Sequence, residues 1–150
     1  MWLIVNTVKC TVRNNVLMNT EIADFEIECK VRDYELDLQG IVNNSVYQNY
    51  LEHARHEFLI SKHIDFAALH EQNIDLVVSR IEIDYKSPLK SQDRFVVKLQ
   101  AKKEGHLRIV FNQWIERIPN NTRIINAKII AVCLKNGRPV KPEDATGIEW

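Results

Sequence analysis

Cysteine is scarce: three residues in 150, at Cys10, Cys29 and Cys133, none close enough to another to form a CxxC pair or a Cys/His cluster. An odd and sparse set excludes a disulfide scaffold and a structural zinc site. Reduced thiols are expected, with Cys29 and Cys133 as small hydrophobes in strand-like stretches, and with them a cytoplasmic location. Charge of one sign is also missing, since Lys+Arg and Asp+Glu number 20 each. A nucleic-acid partner calls for a basic surplus, so none is expected. No apolar run approaches the ~20 residues that span a bilayer, which excludes a membrane-crossing helix. The opening "MWLIVNTVKC" lacks a basic n-region and a small-residue cleavage site, and is not read as a signal peptide. The four glycines form no phosphate-binding loop. Ser45, Ser79 and Ser87 have no GxSxG context. His53, His56 and Glu57 share a helical stretch, but Ile60 stands where HExxH needs its second histidine, so no metal is expected.

What is present reads as one soluble domain, 45% hydrophobic and 27% charged. Residues 1–24 are poorly patterned and are taken as an extension, with Met18 as a possible start. The domain runs over 25–142, and 143–150 are read as a tail. "FEIECKVR" alternates Phe25, Ile27, Cys29 and Val31 with charged residues, the period of a half-buried strand. In "NNSVYQNYLEHARHEFLISKH", Val46, Tyr50, Ala54 and Phe58 recur every fourth residue, flanked by Tyr47, Leu51 and Leu59. That stripe predicts a helix of about five turns with Asn44 as its N-cap. "DFAALHEQN" predicts a short helix capped by Asp65.

Four strands should follow. The first places Val77, Ser79, Ile81, Ile83 and Tyr85 on one face, and the second Phe95, Val97, Leu99 and Ala101. The third carries Leu107, Ile109, Phe111 and Ile115, and "NTRIINAKIIAVCLKNG" is the fourth. Short turns at "KSPLKSQD", "KKEGH" and "PNNT" predict an antiparallel meander. The class is therefore α+β, a curved sheet burying one face around a long helix.

"DYELDLQGIVNN" sets an acid, Asp37, in an irregular segment just ahead of that helix. A helix start offers backbone N–H groups without internal partners, and these can hold an oxyanion. Gly40 permits a positive φ or close approach of a ligand. A carboxylate opposed to such amides suits acyl transfer, as a nucleophile or as a base toward water. An Asp ahead of a glycine is also common as a plain Asx-turn residue, the reading that spacing alone favours. The catalytic reading stays open beside it.

The segment "DLQGIVNNSVYQNYLEHARHEFL" resembles the active-site motif of the 4-hydroxybenzoyl-CoA thioesterase family of hotdog-fold acyl-CoA thioesterases. Asp37, Gly40, Ile41, Val42, Tyr47, Tyr50 and Arg55 match its pattern, and "IDYKSPLKSQD" and "NGRPVKP" resemble later stretches. The resemblance spans roughly residues 25–142. It implies a hotdog fold, a long central helix wrapped by a curved antiparallel five-stranded sheet. It further implies an acyl-CoA thioesterase with Asp37 as the catalytic carboxylate and the Asn44 backbone N–H as the oxyanion donor. Gly40, Val42, Asn43 and Tyr47 would bind substrate. Asn at both 43 and 44, where some relatives carry an aromatic or His, is more similar to the fatty-acyl branch than to the aromatic-acyl one. Lys86 and Lys90, near strand ends, are candidates for the phosphates of coenzyme A, as are Lys102 and Lys103. Trp114 and Tyr85 are candidates for an acyl tunnel. No cofactor is expected, coenzyme A being part of the substrate, and the resemblance implies a homodimer or homotetramer. An acyl carrier protein (ACP) substrate and a non-catalytic acyl binder are the rival readings.

Overall fold

The computed structural model describes residues 21–150. The readings made on Cys10, Met18 and "MWLIVNTVKC" lie outside the described residues. In chain order the elements are β1 (Phe25–Lys30), a 3₁₀ turn (Asp33–Glu35), α1 (Asn44–Ser61), α2 (Phe66–Glu71) and β2 (Ile74–Tyr85). They are followed by β3 (Arg94–Glu104), β4 (Arg108–Ile118), β5 (Thr122–Lys135), β6 (Arg138–Val140) and α3 (Pro142–Thr146). This is the expected α+β class: one curled antiparallel sheet and a long helix against its inner face, the hotdog arrangement.

The sheet order is β1-β3-β4-β5-β2. β3, β4 and β5 form the meander that their short turns predict. β2 corrects the expectation of four consecutive neighbours, because it pairs with β5 at the far edge while β1 lies beside β3. The connection between β2 and β3 is therefore not a hairpin. Residues 86–93 can reach roughly 26 Å when extended, enough to cross the ~14 Å of three strand spacings. Leu89, fully buried, pins that crossing to the core. A sixth strand, β6, also departs from the expected five. Asn136 and Gly137, both at positive φ, fold it back onto the end of β5, as Asn-Gly does in two-residue hairpins.

The β2–β5 register shifts between Val78 and Arg80. An extra residue there reverses which face later side chains take. Val77 and Ser79 thus do not share a face with Ile81, Ile83 and Tyr85. Leu76 and Val78 do, lying opposite Cys133 and Ala131.

The core is that inner face closed by α1. Phe95, Val97 and Leu99 of β3, Ile109, Phe111 and Ile115 of β4, and Ile125 and Ile129 of β5 are all buried. Each such side chain contributes about 1.5–3 kcal/mol by leaving water. From the helix come Tyr47, Tyr50, Leu51, Ala54, Phe58 and Leu59, the predicted stripe, with Val46 half-buried at its edge. Leu107 precedes β4 and is exposed. Residues 143–150, read as a tail, pack onto the core. Ala145 is buried, and the Trp150 ring lies 6.5 Å from Phe58 and 6.1 Å from Phe111.

The α1 cap lies one residue earlier than expected. Asn43 is extended (φ −60°, ψ 140°), and its Oδ1 accepts from the Ser45 N–H at 3.0 Å, while Asn44 is already helical. Asn43→Ala should cost about 1 kcal/mol, read as a lower midpoint in urea unfolding with unchanged slope. Asp65 caps α2 as predicted, accepting from the N–H groups of Ala67 and Ala68.

Candidate active site

The loop between the 3₁₀ turn and α1 doubles back on itself. Leu36 bridges Val42, and Ile41 bridges Lys90. The Asp37 N–H donates to the Ile41 carbonyl at 2.8 Å, and the Gly40 N–H to the Asp37 carbonyl at 3.0 Å. The chain reverses at Gly40, φ +76°, where an added Cβ would meet nothing within 4 Å. Glycine is required there by backbone conformation, not by lack of space.

Asp37 is half-buried, and its Oδ1 accepts from the Gln39 N–H at 2.8 Å, which is an Asx turn. The turn and the free carboxylate coexist: among the described residues no donor reaches Oδ2. Leu38, wholly exposed, projects beside the acid. That apolar residue next to a candidate catalytic group passed unremarked in the sequence.

At the helix start, the Ser45 N–H is taken by Asn43 Oδ1 and the Val46 N–H by the Asn43 carbonyl. Among the described residues nothing accepts from the Asn44 N–H. One open amide remains, therefore, where several were expected. The Tyr85 hydroxyl donates to the Asn44 carbonyl at 3.2 Å, and its ring lies 5.6 Å from that of Tyr47.

Gly40, Asn43 and Asn44 are exposed at this entrance. Val42 and Tyr47, expected to touch substrate, are buried beneath it. The Tyr47 hydroxyl accepts from the Leu89 N–H at 3.0 Å, and the Leu89 carbonyl accepts from the Val42 N–H at 2.9 Å. These residues prop the loop. Burial raises the Tyr47 phenol above its ordinary value. Lys90, exposed, is beside the loop through its bridge to Ile41, whereas Lys86 follows the end of β2. Trp114 faces away from the helix, level with Lys98 and Asn126, with the Arg123 guanidinium 5.3 Å from its ring centre. It is therefore not beside the helix entrance.

Two buried polar residues, Glu35 and Gln113, were missed. Glu35 accepts from the Tyr50 hydroxyl at 2.6 Å and from the Arg32 N–H at 2.7 Å. Arg55, on α1, donates to Gln113 at 2.9 Å, and the Gln113 amide donates to the Leu51 carbonyl at 3.0 Å. Burial draws the Arg55 guanidinium down, with Glu52 opposing. The signal for Gln113 was available as a polar residue at an inward position of an alternating strand. A cavity of about 190 Å³ lies beside Arg55, between Gln48, Leu51 and Arg55 of α1 and Val78 and Ile81 of β2.

Residues 31–147 match the model of the Thioesterase-like superfamily. The chain is 46% identical over 117 residues to the chloroplastic acyl-acyl carrier protein thioesterase ATL3 of Arabidopsis thaliana, a match covering 77% of this chain and 62% of that protein. It thus spans less than two thirds of that relative's length. It is 30% identical over 109 residues to the long-chain acyl-CoA thioesterase FadM of Escherichia coli, covering 73% of this chain and 82% of that one. The crystal structure of a hypothetical protein from Aquifex aeolicus superimposes with a TM-score of 0.73 at 30% identity, over 79% of this chain and 92% of that chain. The loop geometry and these likenesses lead to one conclusion: the chain belongs to the Thioesterase-like superfamily.

Proposed function

We propose that this chain hydrolyses acyl thioesters, of coenzyme A or of ACP, with Asp37 as the carboxylate and the Asn44 N–H as the group that takes the developing negative charge. The observation that carries the reading is the pairing of an unclaimed carboxylate oxygen with an unclaimed helix-start amide on one short loop. Asp37 acts in one of two ways. As a nucleophile, its oxygen attacks the carbonyl carbon, the C–S bond breaks, the thiolate leaves and takes up a proton, and water hydrolyses the anhydride. As a base, it takes a proton from water, the hydroxide adds to the carbonyl, and the thiolate leaves. Either route builds charge on the carbonyl oxygen, where a fixed donor counts most. Gly40 and Asn43 form the surface against which the thioester lies. Val42 and Tyr47 support that surface from below. No cofactor is involved, coenzyme A entering as part of the substrate.

The relatives' names divide on the carrier, acyl carrier protein for the plant protein and coenzyme A for the bacterial one. Lys90 beside the loop supports a carrier phosphate, with Lys86 farther along the same connection. Lys90→Ala should raise KM for an acyl-CoA about two- to five-fold, the effect of one exposed charge, and less at high salt. Steady-state kinetics at two ionic strengths check this.

A homodimer is part of the proposal. β2 pairs on one side only, and Val77, Val78, Ile81 and Tyr85 along it are exposed. An apolar, unpaired edge strand is a template for a second strand. Joining two copies there would set the cavity beside Arg55 at the subunit junction, open to the acyl group. Sedimentation of the purified protein distinguishes monomer, dimer and tetramer. A reducing compartment is consistent with Cys133, a buried thiol that burial pushes up to about 11. Microscopy of the full-length protein separates cytoplasm from plastid.

The function is tested by thiol release from acyl-CoAs of graded chain length, one aromatic acyl-CoA, and matched acyl-ACPs. Turnover of any of them supports the thioesterase, and the ratio of kcat/KM values assigns the carrier. Binding without thiol release from any substrate makes the protein a non-catalytic acyl binder.

A further inference from the structure

Among the described residues, Glu35 is the one carboxylate that is buried, 8% exposed. Burying a charge is costly unless hydrogen bonds replace its water. Here they do so from two directions. Glu35 Oε2 accepts from the Tyr50 hydroxyl at 2.6 Å and from the Arg32 N–H at 2.7 Å, and the Arg32 guanidinium stands 3.6 Å from Oε1. The Glu35 backbone carbonyl accepts from the Asn43 N–H at 3.0 Å. One residue therefore grips both ends of the loop. Its side chain ties the loop's beginning to α1, and its carbonyl holds the residue before Asn44.

Tyr50 is placed for this with little freedom. Its ring lies 4.7 Å from Phe95 and 6.1 Å from Tyr47. Burial first, and the Glu35 carboxylate second, raise the phenol far above its ordinary range. It therefore stays protonated and donating across any working pH. A buried polar pair is seldom the most stabilising filling for a core, since apolar residues of similar size often serve as well or better. Its particular contribution is a fixed direction, which apolar contact does not give.

We propose that Glu35 and Tyr50 are positioning residues, a buried acid–phenol latch that sets the Asp37 carboxylate against the Asn44 N–H. This rests on the thioesterase reading for its kinetic consequence, though not for its structural one. Misplacing a reacting group by about 1 Å costs on the order of 100-fold in rate. Tyr50→Phe keeps the ring and removes the donor; Glu35→Gln keeps the size and removes the charge.

Each variant is expected to lower kcat by about 10- to 100-fold, with KM within about twofold of wild type. The double variant should be no slower than the slower single, because both break one latch. Amide hydrogen exchange should quicken in residues 36–43 and stay unchanged across β4. Retention of wild-type kcat in both folded single variants overturns the proposal. So does multiplication of their effects in the double variant, or a loss of activity that follows the unfolded fraction alone. Asp37→Asn in the same assays keeps the two readings apart. If it turns over like wild type, the thioesterase assignment of Asp37 fails, while quickened exchange in residues 36–43 of Tyr50→Phe still supports the latch.

Discussion

Asp37→Asn is expected to lower thioester turnover by at least about 10³-fold, within the range that a removed base or nucleophile commands. The substitution is nearly isosteric and separates chemistry from structure. The Asn side-chain oxygen can still accept from the Gln39 N–H, as Asp37 Oδ1 does at 2.8 Å, so the Asx turn survives. The neighbouring Asp37 N–H to Ile41 and Gly40 N–H to Asp37 bonds are made by backbone alone. What is lost is the charge and the nucleophilic oxygen. Unfolding midpoint and circular dichroism should match wild type. Single turnover in ¹⁸O-water identifies a nucleophile where label enters the Asp37 side chain, through opening of the anhydride at the Asp37 carboxyl carbon.

Gly40→Val should damage both stability and rate. At φ +76° a side chain pays the left-handed penalty of about 1–2 kcal/mol, and a β-branched residue is the worst suited to that region. No neighbour obstructs the new Cβ, so the strain is relieved by moving the loop. That movement carries Asp37 away from Asn44, and a drop of about 100-fold in kcat/KM is expected. Gly40→Ala should show the same signs with smaller size. Urea unfolding and steady-state kinetics on the three proteins check both effects, and a Val variant with wild-type stability would show that the turn is not needed.

The parts that were legible in the sequence are those written in short-range periods. The four-residue repeat from Val46 to Phe58 gave α1 and its buried face, and alternation with short turns gave β3, β4 and β5. The place of β2 was not legible. A strand's own period does not name its neighbour, and the crossing depends on one buried residue, Leu89, inside a polar connection. The bulge at Ser79 was hidden because a run of apolar residues from Leu76 to Val78 fits either face. At the site, the Asp37–Gly40 spacing was readable, since a carboxylate, a glycine and a helix start are all local features. Glu35 was not, because in "RDYELD" it is one charge among several and only its partner Tyr50, fifteen residues on, makes it distinct. The cap moved from Asn44 to Asn43 because two adjacent asparagines offer the same chemistry and only backbone conformation chooses between them.

The central claim is that this chain breaks thioesters through Asp37. The most direct test mixes enzyme in excess with one acyl thioester that wild type turns over, and follows free thiol in a single turnover with wild type and Asp37→Asn side by side. Wild type should release one equivalent of thiol promptly, and the variant should hold its thioester bound and intact. Equal release from both proteins would rule out Asp37 as the catalytic carboxylate.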